Sequence, residues 1–426
     1  MSKMLERILD RQNMNEAYKK VRANKGASGV DEVTLDELHA YIQDNWATIC
    51  QQIRERHYKP QPVKRVGIPK SDGGKRKLGI PTTIDRVIQQ AIVQVITPIC
   101  ESHFSEFSYG FRPNRNCEMA VNQLLKTINE GYQWIVDIDL EKFFDNVPQD
   151  RLMSLVHRMI QDGDTESLIR KYLKAGVMVA DEYHPTDRGA PQGGNLSPIL
   201  SNIMLNELDK ELESRGLAFV RYADDCLIMV KSRTSANRVM HSVIRWIENK
   251  LGLKVNGTKS KVTRPSQLKY LGFSFYYDTK AKSWMSRPHE DSVRKFEKKL
   301  KMLTQRKWSI NFRKRLEKLN EVIRGWINYF SSSSMKAKME RIDAHLRTRL
   351  RTIVWKMWKV PSKRQWGLQK LGVNKSLAKL TSYAGNHYQW VATKTCVRRA
   401  ITKQKLGQAG LVSCLDYYQY RHNIYS

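Results

Sequence analysis

Over roughly the first 60 residues, and again from about Asp291 to the end, apolar positions recur every three or four residues with charged positions between them. "MLERILDRQNMNEAYKKV" and "LEKLNEVIRGWINYF" are examples. That period predicts helices with one apolar face. Between these ends the period changes repeatedly. "VKRVGIPK" and "RKLGIP" read as two short strands around the turn "SDGG", a hairpin with basic arms. "TIDRVIQQAIVQVITPI", "RLMSLVHRMI", "SPILSNIMLNELDKEL" and "ANRVMHSVIRWIENKLG" read as helices. "WIVDIDLEKFF" reads as a strand, "LAFVRYADDCLIMV" as a hairpin and "LKYLGFSFYY" as a last strand pair. The expected fold class is α+β, followed by an almost wholly helical end.

Composition narrows the partners. The 426 residues carry 74 Lys/Arg against 42 Asp/Glu, a net charge of +32 that points to polyanions. From Asp291 onward there are 31 Lys/Arg against 7 Asp/Glu, so this last third holds +24 of the excess. Six of the ten tryptophans (Trp308, Trp326, Trp355, Trp358, Trp366, Trp390) lie there too. A disordered basic arm would be poor in aromatics, so a folded nucleic-acid-binding region is expected. The cysteines (Cys50, Cys100, Cys117, Cys226, Cys396, Cys414) show neither CxxC pairs nor zinc spacing and read as free thiols. No signal peptide and no run of eighteen apolar residues is visible, so an intracellular protein with no membrane partner is expected.

Two adjacent aspartates, Asp224 and Asp225, interrupt the apolar arms of "LAFVRYADDCLIMV" and can converge only at a tight turn. Taken alone, an Asp-rich hairpin tip is usually a solvated turn. The second strand alters that reading, because Asp137 and Asp139 share one parity in a segment otherwise suited to burial. Carboxylates gathered there need a partner, and a hard divalent cation such as Mg²⁺ takes oxygen ligands. Phosphoryl transfer uses such sites, with two ions about 4 Å apart on the attacking and leaving oxygens.

"YADD", "DIDLEKFFD", "APQGGNLSPILSN" and "LKYLGFSF", in this order, resemble the motif series of reverse transcriptases. The chain looks most like the proteins encoded by bacterial group II introns, which combine reverse transcriptase and splicing maturase. "NKGASGVDEVT" resembles that family's N-terminal extension, "SYGFRPNRN" its second motif and "IRGWINYF" its thumb or maturase region. No counterpart of the endonuclease domain of some members is seen, as in the compact class. The resemblance implies a right-hand polymerase: an N-terminal extension over 1–60, fingers and an antiparallel-sheet palm over 61–285, a helical thumb over 286–360 and a basic nucleic-acid-binding domain over 361–426. Deletion beyond about residue 360 is accordingly expected to leave the metal site and much of the thumb, and to cost splicing stimulation more than extension on a short template.

Carried over to this chain, the resemblance implies Asp139, Asp224 and Asp225 as catalytic metal ligands, with the Leu140 carbonyl near the ions and Asp137 behind them. It implies two Mg²⁺ ions, with Mn²⁺ able to substitute. Lys70 and Arg76 would grip the triphosphate of a deoxynucleotide, as lysine's point charge and arginine's fork suit phosphate oxygens. Phe144 would exclude a ribose 2′-hydroxyl. Gln192 would lie against the incoming nucleotide, Gly193 and Gly194 would permit close approach, and Tyr222 would pack under the primer end. Lys259 matches a lysine near the active site, although Lys261 in the same "TKSK" stretch is an alternative. Arg112 would lie on the template side. The implied partners are intron RNA, an RNA template with a DNA or RNA primer, target DNA and deoxynucleoside triphosphates; the implied location is the bacterial cytoplasm, at the nucleoid in use. A retron or diversity-generating enzyme and a non-catalytic splicing factor with the same fold are the alternatives.

Overall fold

The computed structural model describes residues 2–69 and 74–425, so Lys70 lies outside the described residues. The chain divides into two compact units, Met1–Arg264 and Pro265–Ser426. Among the described residues no helix is long and apolar enough to cross a membrane.

The first unit is built around two long helices, Thr83–Glu101 and Ser197–Ser214, most of whose apolar residues are buried. Asp85, buried in the first turn of the earlier helix, accepts hydrogen bonds from Tyr58, Thr82 and the Gln61 N–H, which ties the extended "YKPQP" segment to the core. The strands β1 (Val63–Pro69) and β2 (Lys75–Ile80) form the expected hairpin, with Ile68 opposite Arg76. After β3 (Trp134–Ile138), a small hairpin of β4 (Val177–Val179) and β5 (Glu182–His184) joins β1 in parallel. This addition was not expected, because three-residue strands are too short to show a period.

Three further strands, β6 (Ala218–Tyr222), β7 (Asp225–Val230) and β8 (Lys261–Thr263), complete an antiparallel sheet of order β6-β7-β3-β8. One face of it, with Val136, Ile138, Cys226 and Ile228, enters the apolar core. Adjacent strand residues point to opposite faces, so Asp137 and Asp225 fall on the other one.

In the second unit, β9 (Lys269–Tyr270), β10 (Phe273–Asp278) and β11 (Ser283–Pro288) form a separate sheet of order β11-β10-β9. The unit boundary therefore precedes the expected palm–thumb boundary at 285/286, since these strands pair among themselves. Helices Glu290–Leu303, Phe312–Phe330 and Lys336–Met357 follow. Phe296 stacks on Trp326 at 4.5 Å between ring centroids, and Phe330 packs on Phe273 at 4.7 Å, so the sheet and the first helices share one aromatic core.

The segment 361–426 is not a detachable appendage. Trp355 is fully buried and its Nε1 donates to the Gly385 carbonyl (3.1 Å). Arg351 donates to the Ile401 carbonyl (3.0 Å), and the Asp343 carboxylate accepts from the Cys414 N–H (2.8 Å) at the start of helix Cys414–Tyr425. Deletion beyond 360 would remove nothing from the unit that holds Asp139, Asp224 and Asp225, but it would strip partners from buried polar groups of the second unit. All six cysteines are free thiols.

Candidate active site in the first compact unit

The expected strand "WIVDIDLEKFF" is shorter in the structure, ending at Ile138. The reason lies in the loop 254–260. The Asn256 N–H donates to the Asp139 carbonyl (2.8 Å), and the Asp139 N–H donates to Ser260 Oγ (3.0 Å). Both backbone groups of Asp139 are thus held outside the ladder. Leu140 bridges Val255, and Lys142, at φ 44°, turns the chain into the short helix Phe143–Asn146.

Across the sheet, Ile138 pairs with Cys226, so one further step in the same register sets Asp139 opposite Asp225. Tyr222 pairs with Asp225, which leaves Ala223 and Asp224 as a two-residue turn, Ala223 having φ 57°. Local geometry thus delivers the three aspartates to one place. They line a cavity of about 500 Å³ together with Lys75, Arg76, Lys77, Leu140, Phe144, Gln192, Asn256 and Lys259.

The Asp225 side chain opens into this cavity, where protein atoms crowd its carboxylate. That desolvation, reinforced by the charges of Asp224, Asp137 and Asp139, pushes its pKa up to about 7, and Arg76 only partly opposes it. Asp137 is also raised, by burial first, and Lys261 counters this from the directly opposed position on β8. Carboxylates gathered round Asp225 in a concave, oxygen-rich site suit a hard divalent cation. Among the described residues no three Asp, Glu, His or Cys side chains stand in ligand geometry for one ion. Asp139, Asp224 and Asp225 nonetheless line the same cavity.

The other expected residues separate clearly. Arg76 projects from β2 between Lys75 and Lys77, all three exposed on the cavity wall. Phe144 is half-buried at the wall, its ring edge-to-face with Phe143 at 5.2 Å, whereas Phe143 is only 3% exposed. Gln192 reaches the cavity and its carbonyl accepts from the Gly79 N–H on β2 (2.7 Å). Gly193 does not line the cavity, but its φ of 120° and the Gly79 carbonyl, 2.5 Å from where a Cβ would stand, forbid a side chain. Of the two lysines, Lys259 lines the cavity and Lys261 faces Asp137.

Two residues fall elsewhere. Tyr222 turns away toward Cys117, where burial pushes its hydroxyl up to about 12. Arg112 is buried: it pairs with Glu101 (2.9 Å) and donates to the Ser105 and Ser108 carbonyls (2.5 and 2.9 Å). Its donors hold a loop together. The sequence reading missed Lys75, Lys77, Asn256 and Ser260. Of these, "VNGTKS" carried a signal, since Asn256 Oδ1 accepts from the Thr258 and Lys259 N–H groups (3.2 and 3.3 Å) in an Asx turn.

Residues 68–275 match the family described as "Reverse transcriptase (RNA-dependent DNA polymerase)", and residues 293–372 match "Group II intron, maturase-specific domain". The chain is 33% identical over 302 residues to Protein YkfC of Escherichia coli, covering 62% of this chain and 79% of that protein. It is 36% identical over 249 residues to the Group II intron-encoded protein LtrA of Lactococcus lactis, covering 58% of this chain and 40% of LtrA. With the Putative COX1/OXI3 intron 2 protein of Saccharomyces cerevisiae it shares 29% identity over 335 residues, 64% of this chain and 38% of that protein. The chain therefore spans well under two thirds of the two intron-encoded relatives.

Proposed function

This chain belongs to the reverse transcriptase family and carries a group II intron maturase-specific domain, and on that premise we propose that it copies RNA into DNA and binds its parent intron RNA to assist splicing and mobility. The observation that carries the polymerase reading is that Asp139, Asp224 and Asp225 line one cavity together with five cations, Lys75, Arg76, Lys77, Lys142 and Lys259.

In this reading Asp139, Asp224 and Asp225 would hold two Mg²⁺ ions, for which Mn²⁺ could substitute, with the Leu140 carbonyl near them. The chemistry they would supply is activation of a primer 3′-hydroxyl and charge neutralisation at the triphosphate. Arg76, with Lys75 and Lys77, takes the phosphate oxygens of a deoxynucleoside triphosphate through charge-assisted hydrogen bonds. Lys70 is assigned to the same triphosphate on the sequence resemblance alone. Lys259 adds a cation from the Asn256 turn. Phe144 fills the space a 2′-hydroxyl would need, and Gln192 lies against the nucleotide. The duplex of RNA template and growing strand, the intron RNA and the target DNA are met through backbone phosphates, which accounts for the net charge of +32.

Primer extension on an RNA template tests the reading. Asp224→Asn or Asp225→Asn should abolish extension, while RNA affinity measured by filter binding stays within about twofold because distant phosphate contacts supply it. Normal extension by either variant would sink the assignment. RNA binding without extension in the unaltered protein would leave a non-catalytic splicing factor.

A further inference from the structure

Arg221 is fully buried in β6, one position before the tyrosine of "YADD". Its Nη2 lies 2.5 Å from the Asp209 carboxylate, itself fully buried in helix Ser197–Ser214, and its Nε donates to the other oxygen at 2.7 Å. A bidentate pair of this kind would satisfy the charge on its own. The third arm does more: Nη1 donates to the Ala223 carbonyl (2.9 Å) and to Asn202 Oδ1 (3.1 Å). Ala223 is the turn residue with φ 57°, a conformation that costs a non-glycine residue energy unless its surroundings impose it.

The surroundings do so from two sides. Asn202 donates onward to the Gly110 carbonyl (2.9 Å), and Gly110 lies so close that a Cβ there would stand 2.2 Å from the Ala223 nitrogen. The same segment is stitched to β6, since the Arg221 N–H donates to the Phe107 carbonyl (2.9 Å) and the Tyr109 N–H to the Arg221 carbonyl (2.8 Å).

We propose that Arg221, braced by Asp209 and Asn202, is a positioning residue: its fork holds the Ala223 carbonyl and so fixes where the turn presents Asp224 and Asp225. The role rests on the polymerase reading above. A buried ion pair that served stability alone could be replaced by apolar residues at little cost. One that also positions a turn cannot, because the geometry of the fork is what acts.

The test is Arg221→Lys, which keeps the charge beside Asp209 but cannot reach three acceptors at once. In the full chain the expected result is a fall in kcat of roughly 10- to 100-fold, as small misplacements of reacting groups produce, with template–primer affinity and nucleotide KM within about twofold. Mn²⁺ affinity, followed by electron paramagnetic resonance and needing no catalysis, should weaken in parallel. Adding Ala223→Gly, whose residue adopts positive φ freely, should raise kcat again without restoring the melting temperature. Asn202→Ala, which leaves the Arg221–Asp209 pair intact, should show the same signature more weakly, and it carries the test if Arg221→Lys does not fold. Unaltered kcat and Mn²⁺ affinity in a folded variant, or a kcat that merely follows the melting temperature through the glycine rescue, would overturn the proposal. Failure of the polymerase reading is told apart by the unaltered protein, which would then not extend a primer while the Mn²⁺ measurement still reports on Arg221.

Discussion

Single side chains at this site are governed by the company they keep. Asp225 has three carboxylates for neighbours and a pKa pushed up to about 7 by desolvation and their charge. Its folded-state pKa lies above the unfolded value, so in the metal-free protein the ionised form disfavours folding and stability falls as pH rises from about 4 through about 7. A divalent cation reverses this by displacing the proton. The gain in melting temperature on adding Mg²⁺ should therefore be small at pH 6 and larger at pH 8, and Asp225→Asn should flatten the dependence; calorimetry showing a gain independent of pH would contradict the assignment. Phe144 is the second case. Both rings of the pair line the cavity, and with Phe143 only 3% exposed the half-buried Phe144 has the larger accessible face there. Phe144→Ala should raise ribonucleotide relative to deoxynucleotide incorporation in a competition assay, and an unchanged ratio would remove the gate from this residue. That the aspartates meet at one cavity was legible because charge stood out against an apolar run, whereas Phe144 was singled out through the family resemblance. That Arg112 is buried was not legible, because an arginine next to "GF" looks the same in sequence whether its fork is exposed or, as here, meets Glu101 and two carbonyls.

At the scale of elements, the helices and the two hairpins were legible because each carries a period or a turn signature over enough residues. What escaped was set by contacts distant in sequence. The early end of β3 is imposed by Asn256 and Ser260, more than a hundred positions later, and the parallel pairing of β1 with β4 joins Val63 to Val177. The same non-local logic fixes the "PQGG" segment, which the sequence alone would make an ordinary turn. Its Gln192 carbonyl holds Gly79 of β2, and Gly193 has a φ of 120° that L side chains rarely adopt. Gly193→Ala should thus cost about 1 to 3 kcal/mol in urea unfolding. Because β2 also carries Arg76, the shift should appear in nucleotide KM more than in kcat. An alanine variant with unchanged stability and KM would show that the segment tolerates displacement and does not hold the hairpin.

For the molecule as a whole, the excess positive charge and the architecture of the second unit pull a simple experiment in opposite directions. Charge alone suggests cutting the chain near 360 to remove basic residues and leave a polymerase. The structure argues against the cut: Trp355, Arg351 and Asp343, all before that point and all buried, have hydrogen-bond partners at Gly385, Ile401 and Cys414 beyond it. Truncation at 360 should therefore abolish cooperative melting of the remaining residues 265–360, and any loss of RNA binding would report unfolding. Charge is better removed where it is exposed. Lys363, Lys370, Arg398 and Arg399 are solvent-facing in helices whose inner faces are packed. Replacing all four by glutamine should leave circular dichroism unchanged. If each meets one phosphate, the log–log salt slope for intron RNA should fall by about 3, since each lost contact removes roughly 0.7 to 0.9. Extension on a short annealed primer at low salt depends chiefly on the cavity in the first unit and should change less than splicing stimulation does. Equal loss of both activities would place these four cations on the template–primer duplex, and an unchanged salt slope would mean that the intron RNA is gripped by other cations.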